Sequence, residues 1–342
     1  MKIKQCFSYD DVLLVPQYSD VESRLQVKIG NSLDDERVFT APIISSPMDT
    51  ITEVEMAVRM GLYGGLGIIH RYNSIEEQAN MVWLCRENGI ENVAAATGIS
   101  GDYFHRAETL VERGVGILCL DVAHGHHSMM REAIENIKRE FPHIHIMAGN
   151  VATKRAFEDL ASWGASSIRV GIGGGSICST RIQTGHGVPT FQSVLDCASS
   201  DTWGDVRIIA DGGIRNSGDI VKALAAGADF VMLGSILAGT EQTPGPTFTS
   251  PQGKKYKTYR GMASKEAQHD WRGTHSSNEG ISTTVPYRGN VLDILLDLDN
   301  GIRSGFSYSG ATSMAELHAK SQFVFQTMAG QLESSTHILG RK

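Results

Sequence analysis

Cysteine is scarce and scattered: Cys6, Cys85, Cys119, Cys178 and Cys197 are five, an odd number with no CxxC pair. That excludes a disulfide framework and a thiolate zinc site, and it fits a reducing, cytoplasmic setting. No run approaches the ~18 consecutive apolar residues that a membrane span requires, so no membrane role is expected. The opening MKIKQCFSYDD also lacks the apolar core of a signal peptide. Positive charge is in deficit, 31 Lys and Arg against 38 Asp and Glu, giving a formal charge of -7. No global positive field exists to hold a nucleic-acid backbone, so any phosphate site must be local.

What is present is an ordinary globular balance, 41% apolar and 20% charged over 342 residues, enough to build a sizeable core. Glycine is enriched: 37 residues, against a background of about 7%, clustered at the ends of apolar runs. Eight β-rich runs recur, at 43–46, 65–69, 93–98, 116–122, 145–151, 167–173, 207–213 and 230–235. Between them lie stretches of helical periodicity such as SIEEQANMVWLCREN, MREAIENIKREF, TKRAFEDLASW and SGDIVKALAAG. Strict βα alternation implies a parallel sheet, and eight repeats predict a (β/α)8 TIM barrel. One domain over residues 1–342 is expected, with extra segments after the sixth and eighth strands at one barrel face. Residues 171–190 form a cysteine loop, and the polar, turn-rich stretch 240–290 is expected to be a mobile flap. The stretch from VLDILLDLDN onward resumes helical patterning on the barrel exterior or at a subunit contact.

Active sites of such barrels sit at the C-terminal strand ends, here Ser46, His70, Asp121, Asn150, Gly173, Asp211 and Ser235. Phosphate is commonly held after strands seven and eight, which suits the DGG at 211–213 and the GS at 234–235. GIGGGS at 171–176 imitates a dinucleotide fingerprint, but Ser176 stands at its third glycine position and the run follows strand six. Cys178 lies in a polar Gly/Ser loop with Thr180 and Arg181 nearby, surroundings that favour a thiolate. Cys85, Cys119 and Cys197 lie in apolar or helical runs and are expected to be core residues. His124, His126 and His127 in DVAHGHHS suggest a metal site, but no matching carboxylate or cysteine constellation accompanies them. Asp121 is better placed for the ribose hydroxyls of a cofactor.

SSPMDT at 45–50, GIGGGSICSTR at 171–181 and DGGIRNSGDIVKALAAGADFVMLGS at 211–235 resemble the IMP dehydrogenase/GMP reductase family, as do YRGMAS at 259–264, EGI at 279–281 and GIRSGFSYSGA at 301–311. The resemblance covers nearly the whole chain. It implies that Cys178 attacks C2 of a purine nucleotide to form a covalent adduct, with Thr180 and Glu279 handling protons. Ser176, Gly213, Gly234, Ser235 and Tyr259 would hold the phosphate, Asp211 the ribose, and Ser46, Met48, Met262 and Ala263 the base region. Gly261 and Gly280 belong to the same nucleotide site. Asp121, Asn150, Arg169 and Gly171 would line the nicotinamide side. The carbonyls of Gly173, Gly175 and Cys178 would hold a monovalent cation, K+. A homotetramer is implied. Gly174 replaces the family's usual proline and Ser179 its threonine.

Two reactions compete within that resemblance. No regulatory module interrupts HRYNSIEEQANMVWLCRENGIENVAAATG, and the flap has no Arg-Tyr pair for hydrolysis, Arg272 being its only arginine near Glu279. Both features favour NADPH-dependent GMP reductase. SSPMDT, AGTEQ at 238–242 and VPYRG at 285–289 lean towards the NAD-dependent IMP dehydrogenases. An idle nucleotide-binding barrel would be indifferent to Cys178→Ala, and an FMN-dependent barrel would be yellow; neither is expected.

Overall fold

The computed structural model describes residues 3–274, 278–334 and 336. Eight parallel strands close into a barrel: Ile43–Ser45, Leu66–Ile69, Ala94–Thr97, Ile117–Asp121, His145–Val151, Ser167–Val170, Arg207–Asp211 and Phe230–Leu233. Each lies within a run expected from sequence, and closure comes from strand eight pairing with strand one, Val231 opposite Ile43. The middles of these strands are mostly apolar because both faces are covered. Ile117 and Cys119 point into the barrel interior with Ile44, Ile68 and Met147, whereas Leu118 and Leu120 join the outer core beneath the helices.

The N-terminal mouth is plugged by a hairpin of Asn31–Ser32 and Val38–Phe39, with Phe39 edge-on to Phe230 at 5.7 Å. Beside it, buried His145 links Asp34 (2.7 Å) to Ser167 (2.8 Å). Helix starts follow local sequence signals: Ser74 and Glu77 form a capping box ahead of Ile75–Glu87, while Thr153 and Asn216 cap the helices after strands five and seven.

In the stretch 240–290, expected to be a flap, Phe248–Thr249, Lys255–Arg260 and Ser282–Pro286 build a three-stranded antiparallel sheet carrying the helix Lys265–Arg272. KYKTYR hides a β-alternation because one inward residue is charged: Lys257 and Tyr259 are both buried. Lys257 Nζ donates to the carbonyls of Thr240, Glu241 and Thr243, so the ammonium keeps its partners although burial lowers its pKa. Helices Val291–Tyr308 and Met314–Lys320 follow, and Phe323–Phe325 pairs antiparallel with Val12–Leu14. Among the described residues, no helix is long and apolar enough to cross a membrane.

Candidate active site

A cavity of about 430 Å³ opens at the C-terminal ends of the strands. Of the expected site residues all but the strand-end His70 line it, from the cysteine set Cys178, Thr180 and Glu279 to the glycines Gly171, Gly173, Gly175, Gly213, Gly234, Gly261 and Gly280. Ser46, Met48, Ser176, Asp211, Ser235, Tyr259, Met262 and Ala263 line it as well, together with Asp121, Asn150 and Arg169.

The cysteine loop is shaped by close backbone approach. At Gly171, φ is +146° and a Cβ would sit 1.9 Å from the Asp211 carbonyl oxygen, so only glycine brings strand six this near to strand seven. Further on, the Cys178 amide donates to Gly175 O at 3.1 Å. The loop then zips onto the stretch before Ser282–Pro286: Ser179 N donates to Glu279 O (2.9 Å), and Ile281 N to Ile177 O (3.1 Å). This brings residues about 100 positions apart into one line. The Cys178 thiol donates to Thr180 Oγ1 at 3.2 Å, and that hydroxyl donates to Glu279 Oε2 at 2.9 Å. A thiol, a hydroxyl and a carboxylate in sequence can pass a proton between a nucleophile and a leaving group. Cys85, Cys119 and Cys197 are buried, and burial pushes each thiol up to about 12; Cys178 is only half-buried.

Opposite the cysteine, three hydroxyls converge. Ser176 Oγ lies 3.4 Å from the Tyr259 hydroxyl, and Ser235 also hydrogen-bonds to Tyr259. Ser46 Oγ and Tyr259 Oη would each lie 3.2 Å from a Cβ at Gly234, so glycine keeps this corner open. Ser46 Oγ is buried without a hydrogen-bond partner. Between the two corners, Asp211 Oδ2 accepts from Arg169 Nη2 (2.9 Å) and Asn150 Nδ2 (2.8 Å). Arg169 also holds Asp121.

The mouth contains side chains outside the expected set: Arg71, Tyr72 and Gln268. Arg71 and Tyr72 directly follow the strand-two end at His70, so extending the strand-end rule by two residues finds them. Tyr72 stacks on Trp271 with ring centres 4.2 Å apart, Arg71 lies 5.4 Å from the Tyr72 ring, and Arg272 lies 4.4 Å from the Trp271 ring. Burial raises the Tyr72 pKa, opposed by the Arg71 charge and by a hydrogen bond from Arg272. Arg260 ties the flap helix down by bonding Asp270 and Asp49. His70 instead pairs with Glu53 at 3.0 Å. The histidine cluster is spent elsewhere: His126 bonds Asp159 at 2.8 Å, and His127 caps the helix Ser128–Glu140. Among the described residues, no group of three His, Cys, Asp or Glu side chains could hold a metal ion.

The profile of the IMP dehydrogenase / GMP reductase domain matches residues 6–337. Inosine-5'-monophosphate dehydrogenases of Nitrosopumilus maritimus and Aquifex aeolicus are 32% and 33% identical, each over 98% of this chain and 99% and 96% of their own lengths. Both alignments run to 472 positions against 342 residues here, so these relatives carry at least 130 residues without a counterpart in this chain. A GMP reductase from Trypanosoma brucei, solved in complex with guanosine 5'-monophosphate, superposes with a TM-score of 0.92 at 30% identity over 98% of both chains. The chain belongs to the IMP dehydrogenase/GMP reductase family of oxidoreductases.

Proposed function

We propose that this protein is a GMP reductase, converting GMP and NADPH to IMP, ammonia and NADP+, with the whole chain acting as one catalytic unit. The observation that carries this reading is the Cys178–Thr180–Glu279 line. In the first step Cys178 Sγ bonds to purine C2 and the C2–amino bond breaks. The departing amine needs protons, and Thr180, backed by Glu279, stands beside the sulfur to deliver them. The nicotinamide cofactor supplies the hydride that reaches C2 as the C–S bond breaks, releasing IMP. Such a sequence requires no water-activating base.

The remaining side chains bind and orient. Ser176, Ser235 and Tyr259, with the backbone at Gly213 and Gly234, take the phosphate, and Asp211 takes the ribose diol. Ser46, Met48, Met262 and Ala263 flank the base, with Gly261 and Gly280 closing the same pocket. Asp121, Asn150, Arg169 and Gly171 face the nicotinamide. The carbonyls of Gly173, Gly175 and Cys178 would hold a monovalent cation such as K+, supplying only charge that orders the loop. Gly175 O already accepts the Cys178 amide and keeps its second lone pair. We take the active form to be a cytoplasmic homotetramer.

One observation favours the second reading, IMP dehydrogenase with NAD+. Arg272 from the flap helix bonds Tyr72 from the loop after strand two, so an Arg-Tyr pair absent from the flap sequence is assembled in space. The test follows reduced-nicotinamide absorbance in GMP plus NADPH and, separately, in IMP plus NAD+. Loss of signal in the first mixture alone is expected; a gain in the second alone overturns the reductase assignment.

A further inference from the structure

We propose that Arg169 is a positioning residue that couples nucleotide binding to cofactor binding, beyond lining the cofactor half of the cavity. The inference rests on the assignment of Asp211 to the nucleotide and Asp121 to the cofactor given above.

Arg169 is the third residue of strand six, and its buried side chain crosses the barrel mouth. One end of the guanidinium, Nη1, donates to Asp121 Oδ1 at the end of strand four and to Cys119 Sγ at 3.6 Å. The other, Nη2, donates to Asp211 Oδ2 at the end of strand seven, 2.9 Å away. Nε is buried without a partner, so the two carboxylates set the position of the group. Burial alone would lower the Arg169 pKa, yet Asp121 and Asp211 together hold it well above the ordinary arginine value.

Each carboxylate then has one oxygen fixed and one left for a ligand. Asn150 joins Arg169 on Asp211 Oδ2, and no hydrogen bond within the described residues uses Oδ1. At Asp121, no hydrogen bond within the described residues uses Oδ2, and Arg71 Nε stands 3.7 Å from it, beyond hydrogen-bond distance. A planar guanidinium presents its donors as a rigid fork, so it cannot follow one carboxylate without turning against the other. A nucleotide diol that fixes Asp211 therefore fixes the orientation of Asp121 before the cofactor arrives. By linkage the cofactor must favour the nucleotide by the same factor.

The test is calorimetric titration of GMP, with and without saturating NADP+, a pair that cannot turn over as a reductase couple. The native enzyme is expected to bind GMP at least about fivefold more tightly in the presence of NADP+. Arg169→Lys keeps the charge but is a point donor that holds one carboxylate, and Arg169→Met holds neither. In both variants the ratio of the two affinities is expected to fall towards one. A merely structural role would weaken GMP with and without NADP+ alike and leave the ratio unchanged, which overturns the coupling while leaving the functional assignment intact. Should Arg169→Met not fold, Arg169→Lys alone decides. Failure of the native protein to bind either ligand would instead refute the assignment on which the inference rests.

Discussion

Thr180→Val is the sharpest probe of the chemistry. Valine keeps the volume and branching of threonine and removes only the hydroxyl that accepts from Cys178 at 3.2 Å and donates to Glu279 at 2.9 Å. With that atom gone, no side chain bridges the sulfur and the carboxylate, and proton delivery to the leaving amine falls to bulk water. A positioned acid or base contributes about 10²- to 10⁴-fold, so kcat for GMP and NADPH should drop by that factor, or about 3–5 kcal/mol in barrier. The side chains proposed for phosphate and ribose lie elsewhere in the cavity, so the GMP dissociation constant should change by less than about threefold, well under 1 kcal/mol. Glu279→Gln should lose a similar factor, and the double variant little more than either single one, because the pair acts as a unit. Steady-state rates with calorimetric GMP binding test all three statements. A Thr180→Val enzyme with kcat within about tenfold of the parent, or losses that simply multiply, would refute the relay.

Three further outcomes are expected. Gly171→Ala places a Cβ 1.9 Å from the Asp211 carbonyl at φ +146°, and should destabilise by about 3 kcal/mol or more in denaturant titrations; an unchanged midpoint would contradict the close approach. Trp271→Ala removes the 4.2 Å stack on Tyr72, worth about 0.5–1.5 kcal/mol. The cofactor KM should therefore rise roughly two- to tenfold with kcat nearly constant, and a rise confined to the nucleotide KM would place the stack over the wrong ligand. The plug at the N-terminal mouth should make the fold acid-labile in two stages. Burial depresses the His145 pKa, so the unfolded chain takes up that proton first and stability falls once pH drops below about 6.5. Burial opposes ionisation of Asp34, but His145 and Arg37 together hold its carboxyl well below the usual range. Its contribution, present above about pH 3.9, is lost as pH falls further. Melting temperature followed from about pH 8 to pH 3 should decline in His145→Gln only below about pH 4; a variant that tracks the parent throughout would rule out the histidine stage.

The barrel was legible because its strands carry their own signal. Both faces are buried, so each strand is a short, mostly apolar run, and six of the eight end in a polar or glycine residue that lines the cavity, as GILCLDV ends near Asp121 and RIIADGG near Asp211. The cysteine was legible for the opposite reason: Cys178 stands where no core needs it. What local pattern could not supply were contacts whose partners are far apart in the chain. KYKTYR is polar in composition, and nothing nearby announces that Lys257 finds three carbonyls between 240 and 243. Tyr72 and Trp271 are separated by nearly 200 residues, and neither has meaning without the other. His145 opens a strand at a position that sequence reasoning assigns to the apolar core, and its partners Asp34 and Ser167 lie on other elements.

This division has a chemical consequence. Tyr259 comes from the flap sheet, whereas most of the groups proposed above for capture and binding, Cys178, Ser176, Asp211, Gly213, Gly234 and Ser235, sit on barrel strand ends and the loops directly attached to them. There the fold fixes each backbone position through several strand pairings at once. On the proposed function, the groups that would separate reduction from hydrolysis are those where the flap helix meets the loop after strand two, joined by one aromatic stack and the Arg71 and Arg272 guanidiniums. Arg272 and Tyr72 can change partners there without disturbing a single barrel hydrogen bond. On the proposed chemistry, substitutions at 72 and 272 should alter the choice between water and amine chemistry, read as the ratio of the GMP plus NADPH rate to the IMP plus NAD+ rate, while leaving capture by Cys178 in place.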